Sequence, residues 1–199
     1  GTNGKTSVTY MLKKVLEAKG FKVGLIGTNQ NMIGDEIIQT ERTTPSCYEL
    51  NALFKEMVDK GCTSAVMEVS SQGLKYGRVE GIEFDYGVFT NFSPDHIGPN
   101  EHEDMEDYAA SKSILFRRCK SAVVNYDDES VGKILNNHTC KINSFAINNT
   151  ADLKAENIEF IKENGFETID ILFNNAFRVG DFVICGSRGW STPMGKMSE

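Results

Sequence analysis

The chain opens on residues that suit phosphate chemistry. Gly1-Thr2-Asn3-Gly4-Lys5-Thr6-Ser7 is the closing half of a phosphate-binding loop of the G-x-x-x-x-G-K-[ST] type. Glycines let such a backbone turn tightly, so that its N–H groups converge on phosphate oxygens. Lys5 reaches the β/γ-phosphates in this pattern, and the Thr6 hydroxyl holds Mg²⁺. Gly1, Thr2, Asn3, Gly4, Lys5, Thr6 and Ser7 therefore form the expected phosphate-side set. The first glycine of the motif would precede Gly1, together with the strand that feeds the loop. The chain starts inside its own motif and reads as a piece of a longer protein, with that strand expected mid-sheet.

Three further places combine chemistry with context. Glu68 ends the apolar run Thr63 to Val69, where a carboxylate is costly unless paired or metal-bound. Asp95-His96 follows the run Phe84 to Asn91, at the carboxyl end where α/β sheets gather function. Lys112 falls within the apolar stripe Met105, Tyr108, Ala109, Leu115, Phe116 and Cys119 of a helix expected over Asp104 to Cys119. An inward lysine must snorkel, pair or change chemically. His102 and His138 have no such context and are expected at the surface.

The elements that hold these residues alternate. Thr6 to Gly20 reads as a helix, with Val8, Met11, Leu12, Val15 and Leu16 at helical spacing. Its positive end would face the phosphates. Phe21 to Thr28 is a strand ending in Gly-Thr, and Asn29 to Glu41 a hairpin turning at Gly34-Asp35. A helix is expected over Ser46 to Lys60, between Pro45 and Gly61. Strands follow at Thr63 to Val69 and Phe84 to Asn91, separated by a polar loop at Ser70-Ser71-Gln72-Gly73. After the Lys112 helix come a strand at Ser121 to Asn125, a helix at Asp127 to Leu135 and a strand at Lys141 to Ile147. This rhythm argues for an α/β fold with a mostly parallel, P-loop-type sheet flanked by helices.

Bulk properties narrow the classes. The chain has 199 residues, 40% hydrophobic and 25% charged, in the ordinary globular range. A net charge of −7 argues against broad nucleic-acid binding. The five cysteines include no C-x-x-C pair, which fits reduced cytoplasmic thiols better than zinc or a disulfide framework. No stretch has the length and apolarity of a membrane span.

Taken together, the motifs resemble the central, ATP-binding domain of the Mur ligases, closest to the UDP-N-acetylmuramyl-tripeptide synthetase type. The carrying stretches are Gly1-Thr2-Asn3-Gly4-Lys5-Thr6, Thr43-Thr44-Pro45, Met67-Glu68-Val69-Ser70-Ser71, Phe89-Thr90-Asn91, Asp95-His96, Tyr108-Ala109-Ala110-Ser111-Lys112 and Asn125-Tyr126-Asp127-Asp128. The resemblance implies an ATP- and Mg²⁺-dependent ligase that adds a diamino acid to UDP-MurNAc-L-Ala-D-Glu through an acyl phosphate. It implies Lys5, His96 and Lys112 as catalytic, with Lys112 carbamylated. It implies Asn91 beside the nucleotide, and Thr6, Glu68, His96 and the carbamylated Lys112 around metal. Thr43, Thr44, Ser70 and Arg78 would contact the UDP-muramyl substrate. A cytoplasmic monomer with no nucleic-acid or membrane partner follows from the same likeness. Two positions depart from the family: Gln72 stands where histidine is usual, and Arg42 where asparagine precedes Thr-Thr.

The resemblance covers residues 1–158. Residues 159–199 read as a divergent or foreign β-rich tail, with strands at Asp170 to Phe173 and Phe182 to Cys185 around turns at Asn174-Asn175 and Gly180-Asp181. Its run Cys185-Gly186-Ser187-Arg188-Gly189-Trp190 is faintly similar to a segment of calcineurin-like metallophosphoesterases. The piece alone is expected to be inactive. The alternative is a nucleotide-binding module that has lost catalysis, which would need neither Lys112 nor Glu68. A P-loop kinase is disfavoured by the Met-Glu-Val-Ser-Ser and Thr-Thr-Pro segments.

Overall fold

The computed structural model describes residues 1–95, 97–99 and 101–155, and the strands at 176–179 and 182–185. The chain divides into two compact units, Gly1–Glu156 and Asn157–Glu199.

The first unit begins with α1 (Lys5–Ala18), β1 (Val23–Ile26), β2 (Asn31–Ile33), β3 (Glu36–Ile38), α2 (Cys47–Asp59), β4 (Ser64–Met67) and α3 (Ser71–Lys75). It continues with β5 (Phe84–Phe89), α4 (Met105–Ser113), a 3-10 turn (Ile114–Arg117), β6 (Cys119–Asn125), α5 (Val131–Ile134), β7 (Lys141–Ala146) and β8 (Leu153–Lys154). Two expectations need correction. Ser70–Gly73 is not a loop: Ser71 starts α3, because the Ser70 hydroxyl accepts from Gly73 N–H at 3.0 Å and caps a turn. The Lys112 helix ends at Ser113 and tightens to 3-10 geometry, so Cys119 opens β6.

The strands form two four-stranded sheets, ordered β3-β2-β1-β4 and β5-β6-β7-β8. β1 pairs parallel with β4, and β5 through β8 pair parallel throughout. Only the β2–β3 excursion runs antiparallel within these sheets. Three of the parallel crossovers carry a helix, α2 between β1 and β4, α4 between β5 and β6, and α5 between β6 and β7, while β7 reaches β8 through a short loop. Such connections cover a sheet whose strands are apolar on both faces. β4 and β5 each end a sheet. The first residues of the chain lie at the carboxyl ends of both: Thr2 N–H donates to Asn91 O at 2.8 Å, and Thr6 reaches Glu68.

Two apolar clusters stabilise these sheets. Ile26, Ile33, Leu50, Met57, Leu74 and Val79 pack around the first. Phe89, Phe116, Ala122, Val124, Ile134 and Cys140 are among those filling the second. Phe84 and Leu115 touch both. Truncating a ring as buried as Phe116 costs about 3–5 kcal/mol.

α1 departs from the expected apolar stripe. Its most buried residues are Thr9 and Lys13, while Leu12 and Val15 are exposed. The inward polar groups are satisfied locally: Thr9 Oγ1 donates to Thr6 O at 2.9 Å, and Lys13 Nζ pairs with Glu17 Oε1. α2 begins as read, on a capping box in which Ser46 and Glu49 satisfy each other's backbone N–H.

In the second unit, β9 (Ala176–Val179) and β10 (Phe182–Cys185) pair antiparallel, with Ala176 opposite Cys185. β10 falls where it was expected. β9 occupies a stretch with no predicted element, where Phe177 and Val179 alternate as a strand requires. The expected strand at Asp170 to Phe173 and the Gly186–Trp190 part of the tail run lie outside the described residues.

Candidate active site

The site is built where α1, β4, β5 and α4 meet. Gly4 caps α1 in the left-handed region, with φ of 79°, which a residue without Cβ adopts freely. The helix can therefore start at Lys5 directly off the loop. The loop is held against β5 by side chains. Asn3 N–H donates to Asn91 Oδ1 at 2.8 Å, and Thr90 Oγ1 and Asn91 Nδ2 both donate to Asn3 O. Ser93 N–H donates to Thr2 Oγ1 at 3.1 Å. Asn91 thus binds loop backbone rather than standing free. Lys5 Nζ folds back to Thr2 O at 2.8 Å and Gly1 O at 3.3 Å, capping loop carbonyls. Burial lowers the Lys5 pKa from the ordinary lysine value, opposed by Glu68 and Asp95. Ser7 lies half-buried in the first turn of α1.

Glu68 is only 2% exposed. Its carboxylate accepts from Thr6 Oγ1 at 3.0 Å, Thr28 N–H at 2.9 Å and Thr28 Oγ1 at 3.0 Å. Three donors offset the cost of burying the charge. Gly27 lets the carboxylate lie flat on β1: a Cβ there would sit 2.5 Å from Glu68 Oε1. Thr28 is the residue that sequence reasoning left without a role. The Gly-Thr ending of the Phe21–Thr28 run carried the signal.

The Thr-Thr-Pro segment is tied to the same strand end. Thr44 is fully buried; its hydroxyl donates to Glu68 O at 3.1 Å and accepts from Ser70 N–H at 2.9 Å. Arg78 donates to Thr44 O at 3.0 Å, and the Thr43 hydroxyl lies 3.0 Å from that of Thr28. Thr43, Thr44, Ser70 and Arg78 therefore form one connected corner beside Glu68.

Lys112 is buried, 7% exposed, as its place on the stripe predicts. Its ammonium lies 4.3 Å from the centre of the Tyr108 ring. Burial pushes its pKa down to about 7, with the positive charge of Lys5 adding to the shift and Asp95 opposing it. Tyr108 joins this lysine to the loop: its hydroxyl is 3.3 Å from Thr2 Oγ1. His96 lies outside the described residues. His138 is exposed, as expected. His102 is not a surface residue but is fully buried, because Ser71 and Asp107 satisfy both ring nitrogens.

Among the described residues, Cys47, Cys62, Cys119 and Cys140 are free thiols. No helix among the described residues is long and apolar enough to cross a membrane.

A phosphate loop opening a helix at the carboxyl ends of parallel strands defines a P-loop-type α/β domain. The chain matches the Mur ligase middle domain over residues 1–178, and it belongs to that family. It is 45% identical over 174 residues to the UDP-N-acetylmuramoyl-L-alanyl-D-glutamate–2,6-diaminopimelate ligase of Clostridium tetani, covering 87% of this chain and 36% of that protein. To the ligase of the same name from Caldanaerobacter subterraneus subsp. tengcongensis it is 48% identical over 160 residues, covering 80% and 33%. A solved structure of a ligase of this name superposes with a TM-score of 0.73 at 29% identity, covering 80% of this chain and 34% of that one. The chain thus spans about a third of the length of the curated relatives it matches.

Proposed function

We propose that this chain is the nucleotide-binding part of a ligase that joins diaminopimelate to UDP-MurNAc-L-Ala-D-Glu at the expense of ATP. The observation that carries the reading is the convergence on the phosphate loop of Glu68, held by Thr6 and Thr28, and of Lys112, with a pKa of about 7. A nucleotide-binding module without catalysis would need neither. The names of the relatives supply the substrates.

The chemistry needs the substrate carboxylate turned into an electrophile. A carboxylate oxygen attacks the γ-phosphorus, and the bond to the ADP oxygen breaks. The amine nitrogen then attacks the acyl carbon, phosphate leaves with its bridging oxygen, and the ammonium formed loses a proton. Positioning and charge neutralisation carry most of such a transfer.

This chain's residues divide that work. The loop N–H groups and Lys5 bind the nucleotide phosphates once Lys5 releases the loop carbonyls. The Thr6 hydroxyl and Glu68 carboxylate are hard oxygen donors that fit Mg²⁺, which takes one or two protein ligands plus phosphate oxygens. Such a cation supplies charge neutralisation at the transferring phosphoryl group. Burial favours the neutral amine of Lys112, which can add CO₂ to give a carbamate and a proton. That replaces a cation by an anion suited to a second metal site. The corner of Thr43, Thr44, Ser70 and Arg78 faces the UDP-muramyl substrate in this reading. Residues 1–158 are the nucleotide-binding part, and residues 159–199 take no role in the chemistry.

The test uses the full-length protein with ATP, UDP-MurNAc-L-Ala-D-Glu and meso-diaminopimelate. ADP release should require both co-substrates, and lysine should replace diaminopimelate poorly. ADP release that ignores the muramyl substrate would overturn the reading.

A further inference from the structure

A second polar cluster lies behind the site. His102 is fully buried between α3 and α4. Its Nε2 is 2.8 Å from Ser71 Oγ, and its Nδ1 is 2.9 Å from Asp107 Oδ2. The same carboxylate oxygen accepts from Lys75 Nζ at 2.7 Å and Glu103 N–H at 3.2 Å. Pairing with Lys75, with help from His102 and Glu103 N–H, holds Asp107 down at about 2, so it is an ionised acceptor. An acceptor-only carboxylate requires a proton on Nδ1, so Nδ1–H donates to Asp107 while Nε2 shares a hydrogen bond with the Ser71 hydroxyl.

The order Ser71–His102–Asp107 has the hydrogen-bond order of a nucleophile, base and orienting acid. Ser71, however, is 4% exposed, which closes it to a substrate carbonyl. The output of the relay is position. Ser71 is the first residue of α3 and follows Ser70, which is bonded to Thr44. On its other side the imidazole packs tilted against Tyr108, with ring centres 4.8 Å apart, and Tyr108 reaches Thr2 and Lys112.

We propose that His102 is a positioning residue that fixes the Ser70–Ser71 turn on α4, and so sets the UDP-muramyl corner relative to the phosphate loop. The inference rests on the function proposed above and adds a residue that the motifs of the family resemblance do not include. His102 reads one arm of the substrate site through Ser71 and the other through Tyr108. It touches no reacting atom.

The test compares Ser71→Ala, His102→Asn and the double variant in the full-length protein. Asparagine keeps a donor for Asp107 at the Nδ1 position and removes both the Ser71 bond and the ring contact with Tyr108. Each single variant should raise the KM for the UDP-muramyl dipeptide about tenfold, leaving kcat and the KM for ATP within about twofold. The double variant should be no worse than His102→Asn alone, because that variant already lacks the bond that Ser71→Ala removes. An unchanged muramyl KM with a lower melting temperature would show a structural role only and overturn the proposal. So would a loss confined to kcat. If the wild-type protein makes no ligation product, the functional reading fails on that result, and amide exchange decides the positioning claim. Exchange at Gly73 and Leu74, whose N–H groups close the first turn of α3 onto Ser70, should then rise at least tenfold in both single variants. Unchanged exchange would overturn it.

Discussion

The Thr6 hydroxyl donates to Glu68 Oε2 at 3.0 Å, which ties the first turn of α1 to the end of β4. A helix start and a strand end are thereby held at the spacing that a shared cation would need. The link also makes Glu68 sensitive to small changes. Glu68→Gln keeps the volume but turns an amide N–H₂ or a weaker acceptor towards three donors. We expect at least a tenfold loss of Mg²⁺-dependent nucleotide affinity and a stability loss of about 1–3 kcal/mol. Titration calorimetry with MgATP and urea melts read the two effects separately. Wild-type affinity in this variant would remove Glu68 from the metal site.

Gly27→Ala displaces the same carboxylate without changing its chemistry. The added Cβ meets Glu68 Oε1 at 2.5 Å, and that atom is the end of a side chain that can swing away. Stability should fall by about 1–3 kcal/mol, because the displaced carboxylate leaves its donors even though β1 itself need not move. Turnover of the full-length protein should fall about tenfold or more, because the carboxylate leaves Thr6 and Thr28. Unchanged turnover in this variant would count against a poised carboxylate.

Lys112 gives a pH signature with a definite sign. Its folded pKa is about 7, against about 10.4 in an unfolded chain. Between those values the unfolded state binds more protons, so stability rises with pH through this window. Below pH 7 the buried ammonium destabilises fully. Lys112→Met should therefore stabilise the protein at pH 6.5 by up to roughly 4 kcal/mol and flatten the slope up to pH 10. Urea midpoints at pH 6.5, 8 and 9.5 provide the comparison, and parallel curves for both proteins would show that the amine is solvated.

Activity should separate lysine from arginine at the same position. Lys112→Arg keeps the positive charge and cannot form a carbamate. Turnover should drop at least a hundredfold in both Lys112→Arg and Lys112→Ala, with partial recovery of the alanine variant by a short carboxylic acid. Near-normal ligation by the arginine variant would make Lys112 a packing residue.

Asp107 predicts an acid limb. Its pKa is lowered to about 2 by Lys75 first, then by His102 and Glu103 N–H. A depressed carboxylate contributes stability that is present above about pH 4 and lost as pH falls through 2. Asp107→Asn should cost roughly 2 kcal/mol at pH 6 and about half that at pH 3. A difference that does not change with pH would mean that the group is not held ionised.

The sequence made the site more legible than the packing around it. The loop, Glu68 and Lys112 each announce themselves through a misfit: glycines without a turn partner, or a charge inside an apolar run. The strand and helix rhythm was equally plain, because periodicity is local. His102 was hidden because its partners, Ser71 and Asp107, come from two helices, and one of those helices depends on a single serine cap. The face of α1 was misread for a related reason. Lys13 and Thr9 satisfy their polar groups within the helix, so burying them costs less than residue type suggests.

The division into two sheets has a kinetic consequence. Residues 23–67 make every pairing of the first sheet, and residues 84–154 every pairing of the second. Each is assembled from one continuous stretch, so each can nucleate without waiting for the other. They nonetheless belong to one compact unit, Gly1–Glu156, and Phe84 and Leu115 pack into both apolar clusters. The first three residues then act as a clasp, with Thr2 and Asn3 bound to the end of β5 while α1 delivers Thr6 to β4. A phosphate ligand on that clasp would bind the ends of β4 and β5 at once, so its affinity would add directly to the stability of the whole unit.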